Sequence, residues 1–358
     1  MIFMTIFFAG FIYVNDAFNQ VTYVQNEDIS NVEILDETFD IEPEINPALT
    51  IKPSDLNWTS TKEEISPTIK PETSGITNIL LCGEENIGGG KRGRTDCMII
   101  ASINMNTGTM RLISFMRDLY VPIEGHSNNK LNASYAIGGM PLLISTLEDD
   151  FDIQIDGYVL VDFAQFENLI DLLGGVDITL SEKEVKYLNE NNYISDEKNR
   201  ILKVGKQTVN GNQALGYSRI RYVSTPNGLA NDFGRVWRQK QVILSIYEKY
   251  KNISYAKMLE LLPEVLSLVT TDLSKDELLQ LGINVLSLRN AELEQACVPY
   301  EGTYSCANVN GMSVLYIEDI EEIRAKTNAL INGEDLEKTI ENKIANNNIN
   351  SDDYYVMK

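Results

Sequence analysis

From Thr77 onward, short apolar runs that end in glycine alternate with longer stretches of helical period. That alternation restricts the chain to folds in which helices cover a sheet. Asn78-Ile79-Leu80-Leu81-Cys82-Gly83 is a buried strand, and Asp96 to Ile103 is a second. Asn106-Thr107-Gly108 turns it into a third, Met110 to Met116. Pro141 to Asp150 reads as a helix with proline in its first turn. Tyr158 to Val161 is a strand, and Phe163 to Leu173 is a helix stopped by Gly174-Gly175. A helix follows from Asp232 to Lys249, and Leu259 to Ala291 is mainly helical, with Asp272 or Ser274 as its cap. The expected class is α/β, a central mixed β-sheet flanked by helices. Its borders are 76–250 for the core, 251–332 for a C-terminal α/β extension and 333–358 for a frayed tail.

What precedes that core cannot join it. Residues 15–75 hold thirteen acids, three lysines and five prolines without sustained periodicity, the composition of a disordered acidic linker. Residues 1–14 are largely apolar but fall short of the roughly 20 that span a bilayer. With no basic n-region and no small-x-small cleavage site, they read as the outer part of a transmembrane anchor whose beginning lies upstream. Membrane attachment is therefore expected.

Charge sets the functional limits. The chain has 52 acids against 30 Lys and Arg, a formal charge of -22, which argues against nucleic-acid binding. A single histidine, His126, rules out a three-histidine zinc site. Four scattered cysteines make no disulfide scaffold or CxxC site; Cys82 and Cys97 read as buried thiols. Cys297 and Cys306 bracket a segment suited to a hairpin stapled at its ends in an oxidising compartment.

Against this acidic background, Lys203 to Lys240 carries seven basic residues and one acid, Asp232. Arg219 and Arg221 share a face if their stretch is a strand, and Arg235 and Arg238 share a face of a helix. Asp232 stands where an N-cap should, so the second pair lies beside free backbone N–H groups. Cations there oppose the helix dipole, which favours a phosphate cradle over surface salt bridges. Arg94-Thr95-Asp96, Arg117-Asp118 and Lys130-Leu131-Asn132-Ala133-Ser134-Tyr135 also fall at strand ends. Many cations with a few carboxylates are what phosphoryl transfer requires.

In motif order these pieces, with Gly174-Gly175-Val176, Asn210 to Leu215, Tyr217 to Arg221 and Asp232 to Gln239, resemble the LytR–CpsA–Psr family of Gram-positive cell-envelope proteins. The resemblance covers roughly Thr77 to Lys249, and more weakly the stretch to Ile331. It implies an extracytoplasmic domain on a single-pass anchor in the cell membrane. It also implies a transferase that moves a glycan polymer from a polyprenyl-diphosphate carrier to peptidoglycan, with a pyrophosphatase side activity. By position, Arg94, Arg117, Arg219, Arg221, Arg235, Arg238 and Gln239 would face the pyrophosphate. Asp96 and Glu85 would hold Mg²⁺ (or Mn²⁺), and Asp96, Arg117, Asp118 and Asp232 would serve catalysis. The family usually has Asp two residues after Gly83, where this chain has Glu85, one methylene longer. A non-catalytic scaffold that binds polyprenyl phosphates is the alternative. Phe163, Phe166, Leu169, Ile170, Leu142 and Leu143 are either core or the wall of a lipid slot.

Overall fold

The computed structural model describes residues 22–23, 75–84, 92–252 and 254–334. The expected anchor, nearly all of the linker, Glu85 and the tail beyond 334 lie outside them. No helix among the described residues is long and apolar enough to cross a membrane.

The strands are β1 (Thr22–Tyr23), β2 (Ile76–Glu84), β3 (Thr95–Asn104), β4 (Thr109–Phe115), β5 (Tyr120–Val121), β6 (Asn129–Lys130), β7 (Gly157–Asp162), β8 (Val176–Leu180), β9 (Gly205–Val209), β10 (Thr270–Thr271), β11 (Leu293–Val298), β12 (Tyr304–Val309) and β13 (Met312–Ile317). The helices are α1 (Leu131–Phe151), α2 (Phe163–Leu172), α3 (Glu182–Glu190), α4 (Gly211–Ser218), α5 (Asn231–Asn252), α6 (Tyr255–Ser267), α7 (Lys275–Ser287) and α8 (Ile320–Asn332). The main sheet has the order β1-β10-β7-β2-β3-β4-β11. It is mixed: β10 runs antiparallel to β7, and β11 runs parallel to β4.

The backbone divides into two units. The first holds 80–99 and 157–290, and the second holds 100–156 and the chain from 291. In the first unit, β8 alternates buried and exposed positions against its antiparallel partner β9, the pattern of a sheet with one wet face. Its inward residues Val176, Ile178 and Leu180 join Ile170, Leu188, Tyr217, Ile220 and Val242 in one core. Capping boxes start α2 (Asp162 with Gln165), α3 (Ser181 with Glu184), α4 (Asn210 with Gln213) and α7 (Ser274 with Glu277). Each satisfies backbone donors that a helix start leaves free. Gly211 is required where α4 meets α2, because a Cβ there would collide with the Glu167 carbonyl.

In the second unit, α1 is interrupted: Gly138 and Gly139 leave helical geometry, Gly139 at φ +67°, and Pro141 opens the continuing stretch. Proline therefore sits in a first turn, as expected. One expectation fails. Cys297 lies on β11, which pairs with β4, whereas Cys306 lies on β12, which pairs with β13. The two strands therefore form no hairpin with each other, and neither cysteine is in a disulfide. Of the two caps expected for the last helical stretch, Ser274 starts α7, while the Asp272 carboxylate accepts from the Tyr158 N–H.

Candidate functional site

The first unit contains a cavity of about 220 Å³. Val159 and Val161 of β7, Phe163, Phe166 and Leu169 of α2, Leu215 of α4 and Val242, Ile243 and Ile246 of α5 supply an apolar wall. Asp96, Arg219, Arg235 and Gln239 line it as well. Thus Phe163, Phe166 and Leu169 line the cavity, whereas Ile170 belongs to the core. Leu143 is buried in the second unit. Cys82 and Cys97 also line the cavity, and burial pushes both thiols up, Cys97 to about 12. They are inert at neutral pH.

Arg235 anchors the polar part. It is 3 % exposed, and its Nη2 lies 2.9 and 3.0 Å from the two Asp232 carboxylate oxygens. Its Nη1 lies 3.5 Å from Asp96 Oδ1. Arg221 Nε approaches the same Asp232 at 3.4 Å, so one carboxylate joins two arginines. Gln239 donates to the Asp96 carbonyl at 3.4 Å. Helix α5 begins at Asn231, so Asp232 is a first-turn residue and not the N-cap. Its side chain pairs with Arg221 and Arg235.

Arg219 and Arg221 do not lie on a strand. Arg219 is the C-cap of α4, and its guanidinium stacks 4.7 Å from the Phe163 ring centre. A cation at a helix C-terminus is favoured by the dipole, and the stack orients it toward the cavity. Arg221 follows in the loop to α5.

Arg238 departs from its expected role. It is fully buried, donates from Nε to Glu184 Oε1 at 2.8 Å, and donates to the carbonyls of Ile220 (3.2 Å) and Val223 (2.8 Å). Glu184 is equally buried, and its other oxygen accepts from the Ser181 N–H and hydroxyl. Arg238 is therefore a clamp on the loop that carries Arg221, and it does not line the cavity. Sequence reading missed Glu184; the Ser181-to-Glu184 capping-box spacing was its only local signal.

Arg94 is half-buried immediately before β3 and is absent from the cavity wall. Arg117 and Asp118 belong to the second unit. Lys130 Nζ lies 3.1 Å from Asp118 Oδ1, and Arg117 Nε lies 3.6 Å from Asp118 Oδ2. Asn132 caps the same corner, its N–H donating to the Arg117 carbonyl at 3.2 Å.

As a metal site, Asp96 and Asp232 offer carboxylate oxygens on either side of Arg235. No group of three His, Cys, Asp or Glu among the described residues could hold an ion. Such a pair suits a cation that keeps several waters and takes the rest of its shell from phosphate, as Mg²⁺ does.

Comparison with known proteins agrees with this architecture. The "Regulatory protein MsrR" of Staphylococcus aureus is 31 % identical over 242 residues, covering 67 % of this chain and 69 % of that protein. The "polyisoprenyl-teichoic acid–peptidoglycan teichoic acid transferase TagU" of Enterococcus faecalis is 33 % identical over 214 residues, covering 59 % of this chain and 66 % of that protein. A solved structure of TagT with bound octaprenyl pyrophosphate lipid, a Bacillus subtilis protein, superposes with a TM-score of 0.52 at 24 % identity. The match covers 76 % of this chain and 94 % of that one, and it shows a shared fold. The model of the LytR_cpsA_psr family matches residues 48–332, and the chain belongs to that family.

Proposed function

We propose that this chain is a membrane-anchored, extracytoplasmic transferase. It moves a glycan polymer, such as teichoic acid or a capsular or other wall polysaccharide, from a polyprenyl-diphosphate carrier to peptidoglycan. The observation that carries this reading is the pairing of Arg219 and Arg235 with an apolar slot in one cavity. A polyprenyl diphosphate has that chemistry: two adjacent phosphates on a branched hydrocarbon. The names of TagU and of lipid-bound TagT support the same substrate class.

Arg219 and Arg235 hold the diphosphate through charge-assisted hydrogen bonds, with Arg221 oriented beside them by Asp232. Arg94, Arg117 and Gln239 complete the set by resemblance. A peptidoglycan hydroxyl attacks the sugar-linked phosphorus, the bond to the bridging oxygen breaks, and polyprenyl monophosphate leaves. The hydroxyl proton passes to a carboxylate such as Asp118 or Asp232. The guanidinium groups offset charge that grows on the leaving phosphate. Water in place of the sugar hydroxyl gives the pyrophosphatase side reaction. Asp96, with Glu85 and Asp232 as further donors, would hold Mg²⁺ or Mn²⁺, which neutralises phosphate charge when bound.

The test incubates the protein with a labelled polyprenyl-diphosphate glycan, MgCl₂ and peptidoglycan. Label on peptidoglycan with release of polyprenyl monophosphate supports the reading. Tight binding without either product overturns it in favour of the scaffold.

A further inference from the structure

Helices α2 and α4 run antiparallel and are tied at both ends. At one end the Arg219 guanidinium lies 4.7 Å from the Phe163 ring centre, and both residues line the carrier cavity. At the other end the Gly211 N–H donates to Asp171 Oδ1 at 2.7 Å. That end borders a second cavity, of about 640 Å³, to which α2 contributes Asp171 and the start of α4 contributes Asn210 and Gln213. Among the described residues none lines both cavities. Phe163 and Asp171 lie eight positions apart, as do Gly211 and Arg219. At about 1.5 Å per residue, the two ends of the helix pair are separated by about 12 Å.

The second cavity is walled by amides and a hydroxyl, where the first has arginines and hydrocarbon. Asn199, Gln207 and Thr208 join Asn210 and Gln213, and Asp171 and Lys203 add one charge of each sign. The amides fix one another. Asn210 Nδ2 donates to Asn199 Oδ1 at 3.0 Å, Gln213 Nε2 donates to the Asn199 carbonyl at 2.8 Å, and Gln207 Nε2 donates to the Lys203 carbonyl. Each of these bonds uses one N–H of an amide that has two, so all three side chains keep a further donor. Ile201 completes the wall and is 70 % exposed. Its place is fixed, because the next residue, Leu202, is buried and exchanges two hydrogen bonds with the Asn189 side chain at 3.0 and 3.1 Å.

We propose that this second cavity is a subsite for the acceptor glycan, an uncharged N-acetylhexosamine chain. The lining itself selects that chemistry. A phosphate or phosphodiester finds no excess of cations there, since Asp171 offsets Lys203. A hydrocarbon would leave the spare amide donors unpaired. A pyranose chain meets both parts of the wall: its hydroxyl and acetamido groups exchange hydrogen bonds with the amides, and a C–H face covers Ile201. The donor is already held by its diphosphate and hydrocarbon, whereas the acceptor needs a hold of its own to present a hydroxyl to the phosphorus. Helices α2 and α4 supply the rigid spacing, so a strand seated at Asn210 and Gln213 is long enough to reach Arg219 at the far end of α4. This inference rests on the transferase reading and adds the acceptor's location to it.

The test titrates the full chain in detergent with β-1,4-linked N-acetylglucosamine hexamer and, separately, with polyprenyl monophosphate. It compares wild type with Ile201→Ser, with the double variant Ile201→Ser/Gln207→Ala and with Ile201→Leu. The double variant should weaken hexamer binding at least tenfold, leave polyprenyl monophosphate binding unchanged and keep the melting temperature. Ile201→Ser alone should lose less, and Ile201→Leu, which keeps the apolar face, should bind hexamer as wild type does. Equal hexamer affinity in wild type and the double variant, or no hexamer binding by wild type, overturns the subsite. If wild type binds hexamer through Ile201 and Gln207 but does not bind polyprenyl monophosphate, the subsite stands and the carrier reading fails.

Discussion

Arg219 and Arg235 reach the same cavity by different means, and the difference predicts how each responds to substitution. Arg235 is buried between two carboxylates, so its removal takes a partner from both Asp96 and Asp232. Arg219 is held mainly by the Phe163 ring and the end of α4. Arg219→Ala should therefore reduce carrier binding or turnover about tenfold or more, the loss of a charged hydrogen bond worth ~1.5–3 kcal/mol. Its melting temperature should stay within a degree or two of wild type. Normal turnover with a large fall in melting temperature would make Arg219 structural. Asp150 in the second unit predicts a pH effect. It is fully buried, and its carboxyl oxygens have no hydrogen-bond partner. Burial first, then neighbouring Asp149, push it up to about 8, while Arg324 pulls the other way. Arg324 gives its Nε and Nη2 to the carbonyls of Asp150 and Asp149, and its Nη1 to Glu321. The folded state thus keeps a proton that the unfolded chain releases near pH 4. Stability from this group is full below pH 4, declines as pH rises to about 8, and is flat beyond. Asp150→Asn should raise the melting temperature at pH 7.5 and flatten its slope between pH 4 and 8. An unchanged slope in urea titrations across that range would dismiss the buried proton.

At the scale of elements, the loop from Ile220 to Ala230 depends on a contact that crosses the first unit. Glu184 starts α3 through its capping box and binds Arg238 with its other oxygen, while Arg238 holds two loop carbonyls. Breaking a buried pair by removing one partner costs about 3–5 kcal/mol, because the remaining charge is left dry. Arg238→Met should lower the melting temperature by roughly 10 °C, and differential scanning calorimetry would measure it. Wild-type stability with lost carrier binding would instead return Arg238 to the phosphate. This contact explains what was and was not legible in the sequence. The runs at 78–83, 96–103 and 110–116 read as strands because they are mostly buried and mostly apolar. Helix α2 read well because Gly174-Gly175 ends it with two positive φ angles. Arg219 to Arg221 did not, because alternating polar and apolar residues mimic a strand where a clamped loop stands. The Asn210-to-Gln213 capping box marks the start of the preceding helix, α4. The arginine spacing correctly put Arg235 and Arg238 on one helix. It could not say that Glu184, 54 residues earlier, claims only the second.

For the whole molecule, a chain of formal charge -22 must bind a multiply anionic lipid. Long-range repulsion then opposes association, and local cations have to outweigh it. In the first unit, Arg219, Arg221 and Arg235 are offset by Asp96 and Asp232, so the described site carries only a small net positive charge. A diphosphate entering it overcompensates that charge, and a divalent cation would restore the balance. Mg²⁺ should accordingly bind weakly to the free protein, because two carboxylates already shared with arginines make poor ligands. Affinity should rise when diphosphate oxygens complete the shell. By linkage, Mg²⁺ must raise diphosphate affinity by the same factor. Calorimetry of MgCl₂ into the protein, with and without farnesyl diphosphate, measures this coupling directly. Asp96→Asn preserves shape but removes a charged ligand, so it should abolish the coupling while leaving the melting temperature near wild type. Equal Mg²⁺ affinity with and without farnesyl diphosphate, together with full turnover in EDTA, would remove the metal from the reaction. Asp96 would then be left as the partner of Arg235, 3.5 Å away.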